Sequence, residues 1–157
     1  MNSGDIFVRD ARKDDCEIIA LFNEAMALET EGLRLEPLTI RAGIRAVLDD
    51  PSKGRYYVAE RRRQVAGALL VTFEWSDWRN GMFLWIQSVY VDPAHRRAGV
   101  FTGLYRHVEA IAKSPGHCGL RLYMDAHNAG ARATYERLGM RHENYLVFET
   151  LDRLREM

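Results

Sequence analysis

Between Ser88 and Phe101 the chain reads Ser-Val-Tyr-Val-Asp-Pro-Ala-His-Arg-Arg-Ala-Gly-Val-Phe: a β-forming run, a basic loop and a helix start. A helix start carries unpaired backbone N–H groups and the positive end of the helix dipole. Those features make a ready seat for an anion such as a pyrophosphate. Arg96 and Arg97 add guanidinium donors suited to phosphate oxygens, and Gly99 lets the backbone approach a ligand without a Cβ. No Gly-Lys-Ser/Thr follows, so this is not a Walker loop, and Gly-x-Gly-x-x-Gly is missing as well. Alone, the loop is equally two solvated arginines ahead of an ordinary helix. A second segment, Asn128-x-x-Ala131-x-x-x-Tyr135-Glu136-x-Leu138-Gly139-Met140, supplies an N-cap asparagine and a tyrosine on the face shared with Ala131 and Leu138. A tyrosine so placed points at the protein, and its plain reading is packing with a satisfied hydroxyl.

The elements that must position these residues follow from periodicity. A strand is predicted over 6–9. Asp14 then caps a helix with Glu17 as its reciprocal partner, and Ile19, Phe22 and Met26 form its apolar face. Pro37 and Thr39 open a second helix carried by Ile40, Ile44, Val47 and Leu48, which ends before Pro51. Strands are predicted over 56–60, 65–75 and 82–91, with Asn80-Gly81 marking the hairpin turn between the last two. Val100, Leu104, Val108 and Ile111 mark a third helix, broken at Pro115-Gly116. A strand over 120–126, a helix bearing Ala131, Tyr135 and Leu138 with Gly139 as its left-handed cap, and a strand over 145–150 complete the order, with a further short strand at 140–142. Hairpins first and a βαβ crossover later imply a mixed, mostly antiparallel sheet of six or seven strands with about four helices. The class is α/β, as a single domain over 1–157.

Composition narrows the partners. The chain has 157 residues, 47% of them hydrophobic, and its 22 basic residues balance 22 acidic ones. A nonspecific nucleic-acid binder would show a basic excess, so Arg61-Arg62-Arg63 with Arg96-Arg97 makes only a weak case for one. Met1 to Asp5 lacks a basic region followed by an apolar stretch, so no secretory signal is expected. The longest apolar run, 65–73, is interrupted by Gly67 and Thr72 and falls short of a membrane span. Cys16 and Cys118 read as small buried hydrophobes in a reducing cytoplasm. The five histidines are scattered, and no metal is expected.

Taken together, the two segments resemble the GNAT superfamily of N-acetyltransferases, and the match covers nearly the whole chain. That pattern is Arg/Gln-x-x-Gly-x-Gly/Ala after a Val-x-Pro strand end, followed some thirty residues later by Asn-x-x-Ala-x-x-x-Tyr-x-x-x-Gly-Phe. Here it reads Arg96-x-x-Gly99-x-Phe101 and Asn128-x-x-Ala131-x-x-x-Tyr135-x-x-x-Gly139-Met140. Phe101 stands where a small residue is usual, and its ring is expected to turn into the core. The preceding strand carries only Gln87 where some members have a catalytic glutamate.

The resemblance implies acetyl-CoA as co-substrate, lying in a gap where the strand ending at Val91 and the one ending at Ala126 splay apart. Val89 and Val91 would pair with the pantetheine as an added strand would, with Tyr90 between them and an amide near Val89 polarising the thioester carbonyl. Arg96, Arg97, Ala98, Gly99, Val100 and Phe101 would cradle the pyrophosphate, and Asn128 and Tyr135 would complete the cofactor site. An amine would attack directly, and Tyr135 would protonate the departing thiolate. The amine must first lose a proton, for which Glu74, Asp77, Glu29, Glu31 and His127 are the candidates. Glu74 is the preferred base, if the neighbouring indoles of Trp75 and Trp78 desolvate it. Glu29, Glu31 and Trp75 would border the acceptor, a small-molecule or peptide amine, with neither nucleic acid nor a membrane as partner and a homodimer admitted as the assembly. The competing reading is a non-catalytic acyl-CoA-binding sensor or interaction module on the same fold.

Overall fold

The apolar runs of the chain become three antiparallel strands, β2 (Arg55–Arg61), β3 (Gln64–Ser76) and β4 (Gly81–Val91), flanked by β1 (Ile6–Asp10) and β5 (His117–Leu122). The sheet order is β1-β2-β3-β4-β5, antiparallel throughout except for the parallel pair β4–β5. The computed structural model describes residues 6–151, which fall into two compact units that divide after Leu122. The first holds the sheet with α1 (Cys16–Glu31), α2 (Pro37–Asp49) and α3 (Val100–Ala112); the second holds α4 (Ala129–Arg137).

Strand alternation assigns the two sheet faces. Tyr56, Val58 and Ala68 pack with Cys16, Ile19, Ala20 and Phe22 of α1 and Ile44 of α2. Gly67, one residue from Ala68, turns the other way and meets Val100 and Leu104 of α3. Val100, Leu104 and Val108 are buried at one helical spacing, each contributing about 1.5–3 kcal/mol. The turn between β2 and β3 is two residues long: Arg61 faces Gln64, and Arg62 and Arg63 take φ of 52° and 63°. These are the left-handed values that match strand twist in a tight hairpin. Two of the three consecutive arginines thus form a tight turn. At the β3–β4 hairpin the signal at Asn80 is real, with φ of 47°, but the loop spans four residues, 77–80, between Ser76 and Gly81.

Three elements differ from their expected form. Asp14 does not cap α1. The chain makes a 3-10 turn at Lys13–Asp15, and Asp15 reaches back to accept the Arg12 amide at 2.6 Å. Asp15 is only 7% exposed, and the Arg9 guanidinium grips both its oxygens at 2.7 and 3.1 Å while donating to Glu60 at 2.6 Å. Burial alone would push the Asp15 carboxyl up; Arg9 and the Arg12 amide outweigh it, and the net direction is down. Second, β5 begins at His117 and ends at Leu122 rather than Ala126. Asp125 accepts the His127 amide at 2.8 Å, an Asx turn that takes the chain out of extended geometry. Third, neither 140–142 nor 145–150 is a strand, so the sheet has five strands instead of six or seven. Tyr145, Leu146, Val147 and Phe148 are apolar on both would-be faces and all are exposed, 59% or more. Among the described residues they have no ladder partner to satisfy an extended backbone.

Candidate active site

β4 changes partners midway. Against β3, Leu70 faces Ser88 but Val71 faces Ile86, so Gln87 is an extra residue, a β-bulge. Against β5, pairing runs from Met82 and ends at Ile86↔Leu122. From Gln87 to Val91 no described residue pairs with β4 on the β5 side. The Tyr90 carbonyl lies toward β3, 2.8 Å from where a Cβ on Gly67 would stand. Alternation along an antiparallel pair then turns the N–H and C=O groups of Val89 and Val91 to the open side. These are the two residues expected to pair with an extended ligand. Arg96 Nε already donates to the Val91 carbonyl at 3.0 Å, so the Val89 groups are the less committed.

After β4, Asp92 caps a 3-10 turn at Pro93–His95 by accepting the Ala94 amide at 2.8 Å. Arg97 and Gly99 then take left-handed φ of 60° and 86°, and Gly99 is the N-cap of α3. Gly99 offers no side-chain acceptor, so no side chain of the N-cap bonds the first turn of α3. Arg97 is exposed beside that turn. Val100 buries its side chain in the core, 1% exposed. The Phe101 ring lies half-buried, stacked along α3 on Tyr105 with centroids 6.4 Å apart, rather than turned into the core. The i,i+4 spacing places the two rings on one helical face.

Arg96 is engaged elsewhere. Its Nη2 donates to Glu29 at 2.9 Å, and its guanidinium lies over the Tyr90 ring at 5.3 Å. Tyr90 Oη donates to the other Glu29 oxygen at 2.6 Å. Hydrogen bonds from Tyr90 and then Arg96 hold the Glu29 carboxyl below its usual range. The bond to Glu29 raises Arg96, and burial together with Glu29 raises the Tyr90 phenol. Glu29 and Glu31 lie in the last turn of α1, which stops at Gly32, whose φ is 67°. Carboxylates are unfavourable at a helix C-terminus. Glu29 is compensated by the loop it clamps, and Glu31 is exposed.

Glu74 has partners the sequence did not announce. Its Oε2 accepts Trp85 Nε1 at 2.9 Å and its Oε1 accepts Arg121 Nη1 at 2.6 Å. Strand alternation sends Trp75 to the opposite face, 57% exposed, and Trp78 is 91% exposed in the turn, so neither indole desolvates Glu74. Trp75 is thereby separated from the Glu74 face. Next to this cluster Gln87 donates to Thr72 at 2.8 Å. The Arg121 guanidinium lies 3.7 Å from the centroid of Phe83 and 5.9 Å from that of Trp85. Strand periodicity reports packing and does not single out Arg121, Phe83 and Trp85; a charged residue alternating with Leu120 and Leu122 is the available signal.

In the second unit, Asn128 caps α4 as expected, its Oδ1 accepting the Ala131 amide at 2.9 Å. Ala131, Thr134 and Tyr135 of that helix are half-buried, as is its C-cap Leu138, and Met140 N–H closes the end by donating to the Tyr135 carbonyl at 3.0 Å. Asp77 is exposed in the hairpin turn and bonds the Trp78 amide, while His127 is exposed and held by Asp125. Among the described residues no group of three His, Cys, Asp or Glu side chains could hold a metal, and no helix is long and apolar enough to cross a membrane.

Comparison with known proteins agrees with this architecture. The model of the acetyltransferase (GNAT) family matches residues 11–140, a span that runs across both units. The structure of a possible acetyltransferase from Clostridium difficile 630 superposes with a TM-score of 0.89 at 44% identity, covering 94% of this chain and 98% of that one. A ribosomal-protein-alanine N-acetyltransferase from Brucella melitensis biovar Abortus 2308 gives 0.73 at 13% identity, covering 94% and 99%. An aminoglycoside acetyltransferase from an uncultured soil metagenomic sample, in complex with sisomicin, gives 0.72 at 14%, covering 94% and 97%. The last two share the fold alone. No curated protein matches the sequence. A family match across most of the chain, joined to a relative at 44% identity, shows that the chain belongs to the acetyltransferase (GNAT) family of acyl-transferring enzymes.

Proposed function

We propose that the protein transfers an acetyl group from acetyl-CoA to a primary amine of a small molecule or peptide by direct attack, as one catalytic domain over 1–157. The observation that carries this reading is the open β4 edge at Val89 and Val91, which leads through the 92–99 loop to the N-terminus of α3, whose N-cap Gly99 has no side chain. An extended amide-bearing arm would pair with that edge as an added strand does, and a pyrophosphate suits the first-turn amides, with Arg97 as the exposed guanidinium. Bound acetyl-CoA would supply a thioester carbon open to attack. The Val89 amide would then polarise its carbonyl. Ala98, Gly99, Val100 and Phe101 would offer backbone donors. Arg96 is a positioning residue in this reading: through Glu29 and the Val91 carbonyl it ties the loop to α1 and β4.

Two proton movements complete the reaction. The amine must lose a proton, and we assign Glu74 as acceptor, since each of its oriented oxygens keeps a further lone pair. The thiolate leaves as the C–S bond breaks, and Tyr135 gives it the phenolic proton; the motif position and the half-buried face of α4 support this. Free Cys16 and Cys118 suit a reducing cytoplasm and take no covalent part.

Single-turnover acetyl transfer at saturating acetyl-CoA tests the assignment. Tyr135→Phe should keep acetyl-CoA affinity and lose roughly 10²–10⁴-fold in rate, the usual worth of a general acid. Equal rates would reduce Tyr135 to a packing residue. A failure of the parent to move label from acetyl-CoA to any amine would leave the sensor reading standing instead.

A further inference from the structure

We propose that Arg121, Arg79 and Glu74 recognise the acceptor, and that the acceptor is a carboxylate-bearing amine of the α-amino-acid kind. This deepens the amine-acetylation reading and rests on it. The arrangement starts at Gly119. A Cβ there would stand 2.7 Å from the Phe83 ring, so only glycine lets that ring lie flat against β5. The ring is thereby a platform for Arg121, two residues on, whose guanidinium stacks at 3.7 Å. Arg79, exposed in the hairpin turn, approaches the same ring at 5.3 Å.

Arg121 spends Nη1 on Glu74, and among the described residues no acceptor meets its Nε or Nη2. Its side chain is 35% exposed, so a fork of donors remains available to a planar carboxylate. Two guanidiniums against one carboxylate leave one unit of positive charge, which suits a monoanion better than a phosphate dianion. Glu74 and Arg121 stand 2.6 Å apart, opposite charges side by side. An α-amino acid carries its ammonium and carboxylate equally close, in the complementary order. The ammonium would face Glu74, where it loses its proton, and the carboxylate would face Arg121. The cluster is also well sited: Arg121 pairs with Trp85 one step before the last parallel pair, Ile86↔Leu122, and the bulge at Gln87 opens the β4 edge immediately after.

Steady-state acetyl transfer to matched pairs, each α-amino acid against its primary amide, tests the assignment with KM and kcat read separately. The parent should favour the acids. Arg121→Gln should raise KM for the acids roughly 10- to 100-fold, the worth of a charge-assisted hydrogen bond, and shift KM for the amides far less. Arg79→Ala, at an exposed turn where folding is not at stake, should raise KM for the acids in the same direction, and Arg121→Lys should recover part of the loss. Equal KM for acids and amides in the parent, Arg121→Gln and Arg79→Ala both matching the parent, or preference for an aminoalkyl phosphate would each overturn the proposal while leaving amine acetylation intact. No transfer to any amine would overturn both.

Discussion

Glu29, Tyr90 and Arg96 show how a side chain can be legible by type while its partners are not. The arginine, expected on a phosphate, is shared in this structure between a carboxylate of α1 and the end of β4. Glu29, expected to attract the acceptor, bonds Tyr90 and Arg96. Glu29→Gln removes a negative charge that favours the protonated Tyr90 phenol, so Tyr90 should titrate at lower pH in the variant, part of the rise remaining because burial is the larger cause. Tyrosine-ring carbon NMR through alkaline pH, with Tyr90→Phe assigning the resonance, reads the shift. An unchanged titration would mean that the contact does not persist in solution. Arg97→Ala, by contrast, should weaken acetyl-CoA by roughly 10-fold or more, as for a charge-assisted contact, measured by calorimetry.

At the scale of elements, β5 is held by what it lacks. The Phe83 ring lies where a Cβ on Gly119 would stand only 2.7 Å away. Gly119→Ala forces a methyl to 2.7 Å from that ring and should cost about 1–3 kcal/mol in urea denaturation, as overpacking does. It should also raise KM for carboxylate acceptors by displacing the Arg121 seat. Stability loss without the KM change would separate the platform's structural role from recognition. The bulge at Gln87 acts at the same scale: one extra residue ends the shared register of β3, β4 and β5 and turns Val89 and Val91 to an unpaired edge.

For the whole molecule, the first unit is joined across its sheet edge by Arg9, Asp15 and Glu60, which link β1, the turn before α1 and β2. Asp15→Asn breaks a buried pair and should destabilise by about 3 kcal/mol. The folded-state pKa of Asp15 is depressed. Its contribution is therefore full above the unfolded value of about 3.9 and fades as pH falls through the lower folded value. Denaturation of parent and variant from pH 7 downward should show a gap that stays constant to about pH 4 and then closes. A constant gap at all pH values would show that the ionised carboxylate is not what stabilises.

By itself the sequence determined the helices α1 to α3, strands β1 to β4, the Asn128 cap and the two motifs, because each is written in local periodicity or in a side chain bonding its own backbone neighbours. The family followed from those motifs at their spacing. Tertiary structure alone decided the rest. The pairing of Arg96 with Glu29 spans 67 residues and that of Arg121 with Glu74 spans 47, and no local pattern encodes a partner so distant. The run 145–150 reads as a strand by composition, but a strand exists only where a neighbour accepts its hydrogen bonds, and none of the described residues does. The bulge at Gln87 is likewise a mismatch between two registers, a property of strands in pairs and invisible in either one alone.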